Sequence, residues 1–328
     1  MQALWFNEHG TADVLRLGEV PDPVAGPGEV LIRVRAAACN FNDIWARQGL
    51  ERVHIPLPHI SGTEAAGEVV AVGPRVTEWK PGDAVITYPL RTCRRCAACL
   101  AGDEVFCRQM LIWGFQTGPY DGAYAQYAKL QAQQLQPKPA HLDWTDAAAI
   151  SSTLLIAWRM LVTRCQLRGG ETVLIWGASG GTGSVAIRLV RLLGGVPIAV
   201  TSSDEKAAFC MAQGAEHVLR VDKEDVAARA RKLTGGGVDI VFDHVGADVF
   251  EASIGIDDRG GPESHAVFRV FVDDKLAFES TGKIRGEPAE ALRIALQKAK
   301  SLAIEVDFGR NFDLGDYCVF ADARVLQQ

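Results

Sequence analysis

The first third of the chain alternates apolar and polar residues in short runs, a pattern that predicts β-strands. The three clearest runs lie between Gly and Pro turn residues: Glu29–Arg35, Gly67–Gly73 and Asp83–Thr87. Asn42 or Asp43 can cap a helix that ends near Gly49. Residues 1–141 are therefore predicted to form a loop-rich β barrel.

The pattern becomes helical near Leu142, where Asp143 can cap a helix, and later alternates between strands and helices. The predicted strands are residues 172–177, 197–203, 217–221 and 239–246, and the predicted helices are residues 184–193, 204–213 and 223–233. Strands that alternate with helices of this length indicate a parallel sheet with right-handed crossovers. Residues 142–248 are therefore predicted to form a parallel α/β domain in which four strands can be counted.

Residues 249–328 have an all-β pattern. Residues 265–272 and 301–308 alternate apolar and polar side chains, as half-buried strands do. Residues 287–300 are the one segment left open to a helix. The fold class predicted from the whole pattern is thus α/β plus β.

Composition narrows the class of protein. Hydrophobic residues make up 48% and charged residues 23%, as in soluble globular proteins. The net charge is 34 − 40 = −6, which gives no electrostatic support for nucleic acid or an anionic membrane as a partner. The first ten residues do not resemble a signal peptide, and the apolar stretch Ala147–Trp158 is interrupted by Ser151, Ser152 and Thr153 and is too short to span a bilayer. We expect a cytoplasmic protein.

Four of the eight cysteines fall within fifteen residues: Cys93, Cys96, Cys99 and Cys107. In a cytosolic chain this spacing predicts one tetrahedral structural zinc per chain rather than disulfides or incidental thiols. Arg94 and Arg95 would offset the charge of the thiolates. The other four cysteines are predicted to pack as small hydrophobic residues: Cys39, Cys165, Cys210 and Cys318.

A glycine-rich turn directly follows the first predicted parallel strand and opens a helix. It consists of Gly177, Ala178, Ser179, Gly180, Gly181, Thr182 and Gly183. Such glycines let the backbone approach a pyrophosphate held at the helix N-terminus, whereas a ligand-free tight turn is the alternative.

The end of the second parallel strand favours NADP(H) over NAD. The side chains there are Ser202, Ser203 and Lys206, which suit a 2′-phosphate, whereas NAD sites usually carry an acidic residue. Asp204 complicates this interpretation, but it is also placed to cap the next helix. Val245 and Gly246, at the end of the fourth strand, complete the predicted cofactor site.

These motifs resemble the medium-chain dehydrogenase/reductase superfamily over residues 1–248. The resemblance also rests on PGEVLIRV (27–34), GTEAAGEVVAVG (62–73) and KPGDAV (80–85). It implies a GroES-like β barrel followed by a Rossmann sheet of six strands, so the four-stranded pattern indicates an incomplete Rossmann domain. Asn40 and Thr63 stand where zinc alcohol dehydrogenases have the Cys and His that hold the catalytic zinc, so no catalytic zinc is expected.

The nearest resemblance is to crotonyl-CoA carboxylase/reductases, acryloyl-CoA reductases and quinone oxidoreductases. It rests on Asn40-Phe41-Asn42, on Ile112-Trp113-Gly114-Phe115, and on residues 121–127, 134–139 and 173–177. It implies hydride transfer from NADPH to an activated double bond of an enoyl thioester or a quinone, without a catalytic metal. Gln116 stands where that branch has Glu, so carboxylation is not implied.

The resemblance suggests catalytic roles for four residues. Asn40 and Asn42 would stabilise the developing enolate, and Trp113 and Phe115 would form an apolar wall. Each has a simpler alternative, which is helix capping near Asn42 and core packing for the two aromatic side chains. The proton donor is open among His59, Tyr88 and Tyr124.

The tail from about residue 250 resembles the second half of an NPCBM carbohydrate-binding β-sandwich. Two partial modules that meet near Asp248 suggest a deletion, a gene fusion or an erroneous gene model, unless the half-sandwich covers the open edge of the parallel sheet. The alternative function is therefore a non-catalytic carbohydrate-binding or fusion protein with a vestigial dehydrogenase domain. The tail contains no Trp and only Tyr317, which argues against strong glycan binding, and a homodimer stays open.

Overall fold

The fold is described from a computed structural model. It describes residues 1–50, 53–244, 249–256, 265–272, 275–280, 283–284, 290–295, 302–307 and 318–326. The predicted cofactor residues Val245 and Gly246 lie outside the described residues. The chain divides into two compact units, Met1–Val218 and Leu219–Gln328. The domain boundaries near residues 141 and 248 stay predictions.

The first 140 residues form a curled antiparallel sheet with short helices. The elements are β1 (Gln2–Trp5), β2 (Arg16–Glu19), β3 (Glu29–Ala37), α1 (Phe41–Gln48), β4 (Ala65–Val72), β5 (Ala84–Thr87), β6 (Leu90–Arg91), α2 (Ala97–Leu100), β7 (Leu111–Ile112), β8 (Tyr127–Gln131) and β9 (Leu135–Pro137). Five strands pair in the order β8-β3-β4-β5-β9. Val30, Ile32, Val69 and Val85 fill its core, which confirms the predicted GroES-like barrel.

Helix α1 begins earlier than predicted. Its cap is Asn40, which has extended backbone angles, rather than Asn42 or Asp43. The Asp43 carboxylate accepts a hydrogen bond from the Asn40 backbone N–H at 2.7 Å, so Asp43 supports the cap from the first turn. Asp43 is the third residue of the helix and binds the backbone of the cap residue Asn40. The prediction was wrong because a residue in that position is easily mistaken for the cap.

Helix α3 (Trp144–Trp158) continues into a π-helical turn, Arg159–Arg164. Asp143 caps it as predicted and accepts from the Asp146 backbone N–H at 2.8 Å. The continuous helix Trp144–Arg164 has 21 residues and is long and apolar enough to cross a membrane, judged by length and composition alone. The prediction that the apolar stretch here is too short to span a bilayer is therefore wrong. Core helices pass the same test; in this helix Ala147 and Ala148 are buried and pack against Ala66 at the start of β4, although most of the helix is not buried.

The next elements alternate as the sequence predicts. They are β10 (Thr172–Ile175), α4 (Gly181–Leu192), β11 (Val196–Thr201), α5 (Asp204–Gln213), β12 (His217–Arg220), α6 (Val226–Thr234) and β13 (Ile240–Phe242). Strands β10 and β11 are parallel, with Thr172 opposite Val196. Among the described residues the sheet has four strands, in the order β12-β11-β10-β13. A Rossmann-like parallel sheet is thus confirmed.

The remaining described segments are all strands, as predicted. They are β14 (Val249–Ile256), β15 (His265–Val272), β16 (Lys275–Glu279), β17 (Lys283–Ile284), β18 (Glu290–Ala295), β19 (Leu302–Asp307) and β20 (Cys318–Leu326). Strand β14 lies between β18 and β20, and β15 pairs with β16, β17 and β19.

The helix left open over residues 287–300 is not formed at Glu290–Ala295. This segment is β18, which pairs antiparallel with β14. Leu292 and Ile294 are buried whereas Arg293 and Ala295 are exposed. Burial that alternates from one side chain to the next is typical of a strand with one covered face. In this segment it outweighs the helix propensity of Glu, Ala and Leu.

Candidate functional site

A buried carboxylate lies at the centre of the candidate site. Glu64, 1% exposed, immediately precedes β4. Its Oε1 accepts from Asn40 Nδ2 at 2.6 Å, and its Oε2 accepts from the Ser152 backbone N–H at 2.6 Å and from Ser151 Oγ at 3.1 Å. Burial raises the pKa of Glu64 above its ordinary value, although the three hydrogen bonds oppose this shift. Glu64 therefore fixes the Asn40 amide and joins it to α3.

The sequence reasoning missed Glu64 as a functional residue. The motif Gly62-Thr63-Glu64 could have pointed to Glu64, but only Thr63 was compared with a zinc ligand. Asn42 lies next to the same segment, and its Nδ2 donates to Thr63 Oγ1 at 3.3 Å. The Asn42 Oδ1 atom is buried without a partner among the described residues. The structure thus brings Asn40 and Asn42 together.

A second hydrogen-bonded cluster supports the start of α1. Tyr124 donates its hydroxyl proton to Asp43 Oδ2 at 2.6 Å, and the Gly62 backbone N–H donates to Asp43 Oδ1 at 3.0 Å. Burial raises the pKa of Asp43 and also raises the pKa of Tyr124. Tyr124 therefore serves to hold the loop and helix together, and its proton is already engaged.

The two other candidate donors are also engaged. His59 is fully buried, and its ring nitrogens lie 3.2 Å from the Pro56 carbonyl oxygen and 3.1 Å from the Gly114 carbonyl oxygen. Burial lowers the pKa of His59. Tyr88 donates to Glu104 at 3.4 Å, and burial raises the pKa of Tyr88 to about 12. The lowered pKa favours the neutral form of His59, which has no imidazolium proton to give, and the raised pKa means that Tyr88 holds its proton more firmly than a free tyrosine.

Trp113 and Phe115 lie in core clusters. Trp113, 1% exposed, packs among the barrel strands and donates its indole N–H to Asp121 Oδ1 at 3.2 Å. Phe115, 6% exposed, packs with Phe6, Ala46 and Ile55 behind α1. Their proposed role as a substrate wall stays a prediction.

The glycine-rich turn has the geometry of an anion-binding helix start. Gly180 is the N-cap of α4, and its backbone N–H donates to the Gly177 carbonyl at 2.9 Å. Gly177 has φ of 60°, in the left-handed region that favours glycine. A Cβ at Gly183 would lie 2.4 Å from the Gly177 carbonyl oxygen. Gly180 and Gly181 are exposed, so the first N–H groups of α4 are accessible to a phosphate.

The predicted 2′-phosphate residues meet at the carboxyl end of β11. Ser203 caps α5 by accepting from the Lys206 backbone N–H at 3.2 Å, and Lys206 Nζ donates to Ser202 Oγ at 3.4 Å. Asp204 lies in the first turn of α5 and is exposed. The structure therefore brings two hydroxyls and one ammonium group together, with a carboxylate nearby.

Helix α3 contacts both parts of the site. Ser151 and Ser152 bind Glu64, and the next residue, Thr153, lies under the glycine-rich turn. A Cβ at Gly181 would lie 3.3 Å from Thr153 Cγ2. The side chains that position Asn40 are therefore on the same helix that packs against the start of α4.

The four clustered cysteines form a site of the right size for zinc. All four Sγ atoms lie within 4.8 Å of one another, with Cys93–Cys99 at 3.9 Å and Cys96–Cys99 at 3.5 Å. Four thiolates at about 2.3 Å from a tetrahedral zinc are about 3.8 Å apart, so the cluster fits the ion. Backbone N–H groups of Arg95 and Cys96 lower the pKa of Cys93, whereas burial and the neighbouring thiols raise the pKa of Cys99.

The remaining cysteines differ from the prediction. Cys210 is buried, as expected of a small hydrophobic residue, but Cys39 and Cys165 are exposed. Both lie next to helix ends, where the chain turns and leaves side chains open to solvent. The Cys318 side chain lies outside the described residues. Arg94 forms an ion pair with Glu104 at 2.5 Å, so its charge is shared with that carboxylate.

The curled barrel, the parallel sheet and the glycine-rich turn together define the fold of a nicotinamide-dependent dehydrogenase. Three family models match the chain: the alcohol dehydrogenase GroES-like domain at residues 26–140, the zinc-binding dehydrogenase model at 181–262, and the NPCBM/NEW2 domain at 237–326. The last two matches overlap at residues 237–262.

Known proteins extend this similarity. A crotonyl-CoA carboxylase/reductase of Cereibacter sphaeroides is 36% identical, over 79% of this chain and 67% of that protein. The crystal structure of an NAD-dependent alcohol dehydrogenase matches with a TM-score of 0.71 and 38% identity, covering 75% of this chain and 71% of the other. Crotonyl-CoA carboxylase/reductase AntE in complex with NADP matches with a TM-score of 0.63 and 34% identity, covering 69% and 58%. The chain belongs to the medium-chain dehydrogenase/reductase superfamily.

The chain is shorter than these relatives. It spans 63 to 67% of the length of the crotonyl-CoA reductases and the carboxylase/reductase that it matches. Its activity is therefore a proposal that must be tested on this chain.

Proposed function

We propose that this chain is an NADPH-dependent reductase of a carbon–carbon double bond conjugated to a thioester carbonyl, and that it works without a catalytic metal. The observation that carries this proposal is the Asn40 amide, which is held by the buried Glu64 where a zinc alcohol dehydrogenase would have a metal ligand. The similarity to crotonyl-CoA reductases supports it. A cytosolic location and a homodimer stay predictions.

The cofactor, when bound, supplies a hydride to the β-carbon of the alkene, and the electron pair of the double bond moves towards the carbonyl to give an enolate. The protein must then stabilise negative charge on the carbonyl oxygen. One N–H of the Asn40 amide is engaged by Glu64, and the other is available to donate. The α-carbon then takes a proton from water or an acid, since the tyrosine and histidine donors above are engaged.

An NADPH oxidation assay with crotonyl-CoA, acryloyl-CoA and a benzoquinone tests the proposal directly. Reduction of either thioester at a higher kcat/KM than the quinone is the expected result. Preferential reduction of the quinone would support the quinone oxidoreductase alternative, for which a relative from Pseudomonas aeruginosa, 34% identical, gives the precedent. No oxidation with any of the three, in folded protein that binds NADPH, would reject the proposed activity.

Glycan binding is the second candidate function, because the NPCBM/NEW2 model matches residues 237–326. It would be a function of the second unit and would not need the nucleotide turn. A glycan array with the full chain separates the two candidates. Saturable glycan binding together with no response to nucleotide would favour the non-catalytic alternative.

We expect NADPH to raise the melting temperature of the protein more than NADH does, because Ser202, Ser203 and Lys206 suit a phosphate. The Lys206→Ala variant should bind NADPH about 10- to 100-fold more weakly, the effect of losing a hydrogen bond between charged groups. Its affinity for NADH should change less than threefold. Exposed Lys232 on α6 provides the control variant, Lys232→Ala. Equal loss of both nucleotides in Lys206→Ala would contradict the assignment.

We propose one structural zinc, held by Cys93, Cys96, Cys99 and Cys107. Native mass spectrometry should therefore find one zinc per chain, and Cys99→Ser should reduce zinc content and lower the melting temperature. The exposed Cys165 gives the control variant Cys165→Ser, which should keep the metal. A second zinc in the wild-type protein would contradict the argument from Asn40 and Thr63.

A further inference from the structure

A partly open, mostly apolar cavity is lined in part by Asn40, and the proposed reaction does not account for it. Its volume is about 470 Å³. The apolar part of its lining comes from the N-terminal segment and from α1: Leu4, Phe6, Ala12, Leu15, Phe41 and Ile44. Asn40, Asp43 and Tyr124 line it as well, so the cavity is continuous with the polar cluster of the candidate site.

Several polar groups in the lining are bound within the protein, whereas the Ser61 hydroxyl is buried without a partner among the described residues. The Asp43 carboxylate accepts from the Asn40 and Gly62 backbone N–H groups and from the Tyr124 hydroxyl. Arg47 donates to the Gly10 carbonyl at 2.7 Å. A carboxylate that already has three donors does not need a further polar partner, so the cavity favours an apolar occupant over a charged one.

The size of the cavity indicates how long that occupant is. A group the size of a water molecule fills roughly 30 Å³, so a four-carbon acyl group would leave most of this volume empty. Empty apolar volume beside a binding site is filled favourably by additional methylene groups, each of which gains about 0.8 kcal/mol on burial, or about fourfold in affinity. Part of the apolar wall is also exposed: Phe41 is 66% and Leu15 is 38% accessible.

We propose that this cavity holds the hydrocarbon chain of the thioester substrate, so that the protein prefers 2-enoyl thioesters longer than four carbons. The proposal rests on the proposed function, because it extends the acyl group from the Asn40 amide into the cavity. It assigns a specificity role to the N-terminal segment around Leu15, which lies outside the cofactor and zinc motifs.

Chain-length dependence of kcat/KM tests the proposal. NADPH oxidation is measured with trans-2-enoyl-CoA substrates of four, six and eight carbons. The expected result is a rise of about fourfold for each methylene that enters the cavity, and at least tenfold from four to eight carbons. If the eight-carbon substrate has no higher kcat/KM than crotonyl-CoA, the cavity proposal is overturned, whereas the proposed reductase function stays intact.

A matched pair of variants locates the effect. Leu15→Trp places a large side chain in the cavity and should lower the eight-carbon to four-carbon ratio of kcat/KM at least tenfold. Leu17 lies two residues further on, on β2, is 78% exposed and does not line the cavity. Leu17→Trp should therefore keep the wild-type ratio. The proposal is rejected if Leu15→Trp leaves the ratio unchanged, or if both variants lower it equally. Either result would mean that the hydrocarbon chain of the substrate binds elsewhere.

Binding gives a readout that does not depend on turnover. Isothermal titration with butyryl-CoA and octanoyl-CoA, in the presence of NADP, should show at least tenfold tighter binding of octanoyl-CoA, and Leu15→Trp should remove the difference. This preference with no reduction of any enoyl-CoA would reject the proposed activity while supporting the cavity assignment. Equal affinities would reject the cavity assignment whether or not the chain is active.

Discussion

Replacing Gly183 with alanine is expected to weaken NADPH binding at least about 100-fold, or ~3 kcal/mol. The new Cβ would lie 2.4 Å from the Gly177 carbonyl oxygen and 2.7 Å from Ala178 Cα. Both are backbone atoms of the turn, so the turn or the start of α4 must move, and the first N–H groups of α4, which would bind the phosphates, would move with it. A fluorescence titration of NADPH measures the loss.

Gly236 provides the matched glycine-to-alanine control. A Cβ built there has no neighbour within 4 Å, so Gly236→Ala should bind NADPH within about twofold of wild type. A urea denaturation curve for each variant separates lost binding from global unfolding. Wild-type affinity in folded Gly183→Ala would show that the nucleotide does not use this turn.

Replacing Glu64 with glutamine is expected to lower kcat/KM for the enoyl thioester about 10- to 100-fold. The carboxylate accepts from Asn40 on one oxygen and from α3 on the other, whereas an amide can accept on one side only. The amide nitrogen would then face another donor, which costs about 1–3 kcal/mol. Because Asn40 would lose its fixed orientation, kcat should fall more than KM changes. NADPH affinity should change less, which separates this variant from Gly183→Ala.

Glu68, which lies on β4 four residues after Glu64, gives the control. It is partly exposed and pairs with Arg35, so Glu68→Gln should keep kcat/KM within about twofold. An equal loss in both variants would mean that Glu64 has no special role.

The pH profile adds a second test of Glu64. Burial raises its pKa above the ordinary value of 4.5, so the carboxyl takes up its proton at a higher pH than an exposed glutamate. Protonation removes an acceptor site from the carboxylate, and wild-type kcat/KM should therefore fall as the pH is lowered through this raised pKa. Glu64→Gln cannot titrate and should lose that part of the acidic limb. An unchanged acidic limb in the variant would assign it to another group.

Most elements were predictable because their signals are local. The helix bounds of α5 were predicted to the residue, although its cap is Ser203 rather than Asp204, which is the first helical residue; Gly214 ends the helix in the left-handed conformation. The errors arose where a local pattern fitted two structures. The Glu290–Ala295 segment could be helix or strand until its pairing with β14 was known. Near Asn40 three polar residues competed for one cap, and only backbone geometry separates them.

The candidate site was predicted in part for the same reason. Asn40 and Asn42 lie on one short motif, so finding one led to the other. Glu64 was not singled out because its partners are 24, 87 and 88 residues away in sequence. The apolar residues around the cavity come from two separate segments, 4–15 and 41–44, and no periodicity within either one signals a shared space.

The sequence by itself determined the cysteine cluster and the glycine-rich turn, because each is made by neighbouring residues whose spacing decides what they can bind. It also determined the order of strands and helices, through the periods of apolar residues. Only the tertiary structure decided that Glu64 holds Asn40, that Trp113 is a core residue, and that Asn40 helps to line a mostly apolar cavity. These features depend on burial and on contacts between distant segments, and burial is set by the packing of the whole unit rather than by any local pattern.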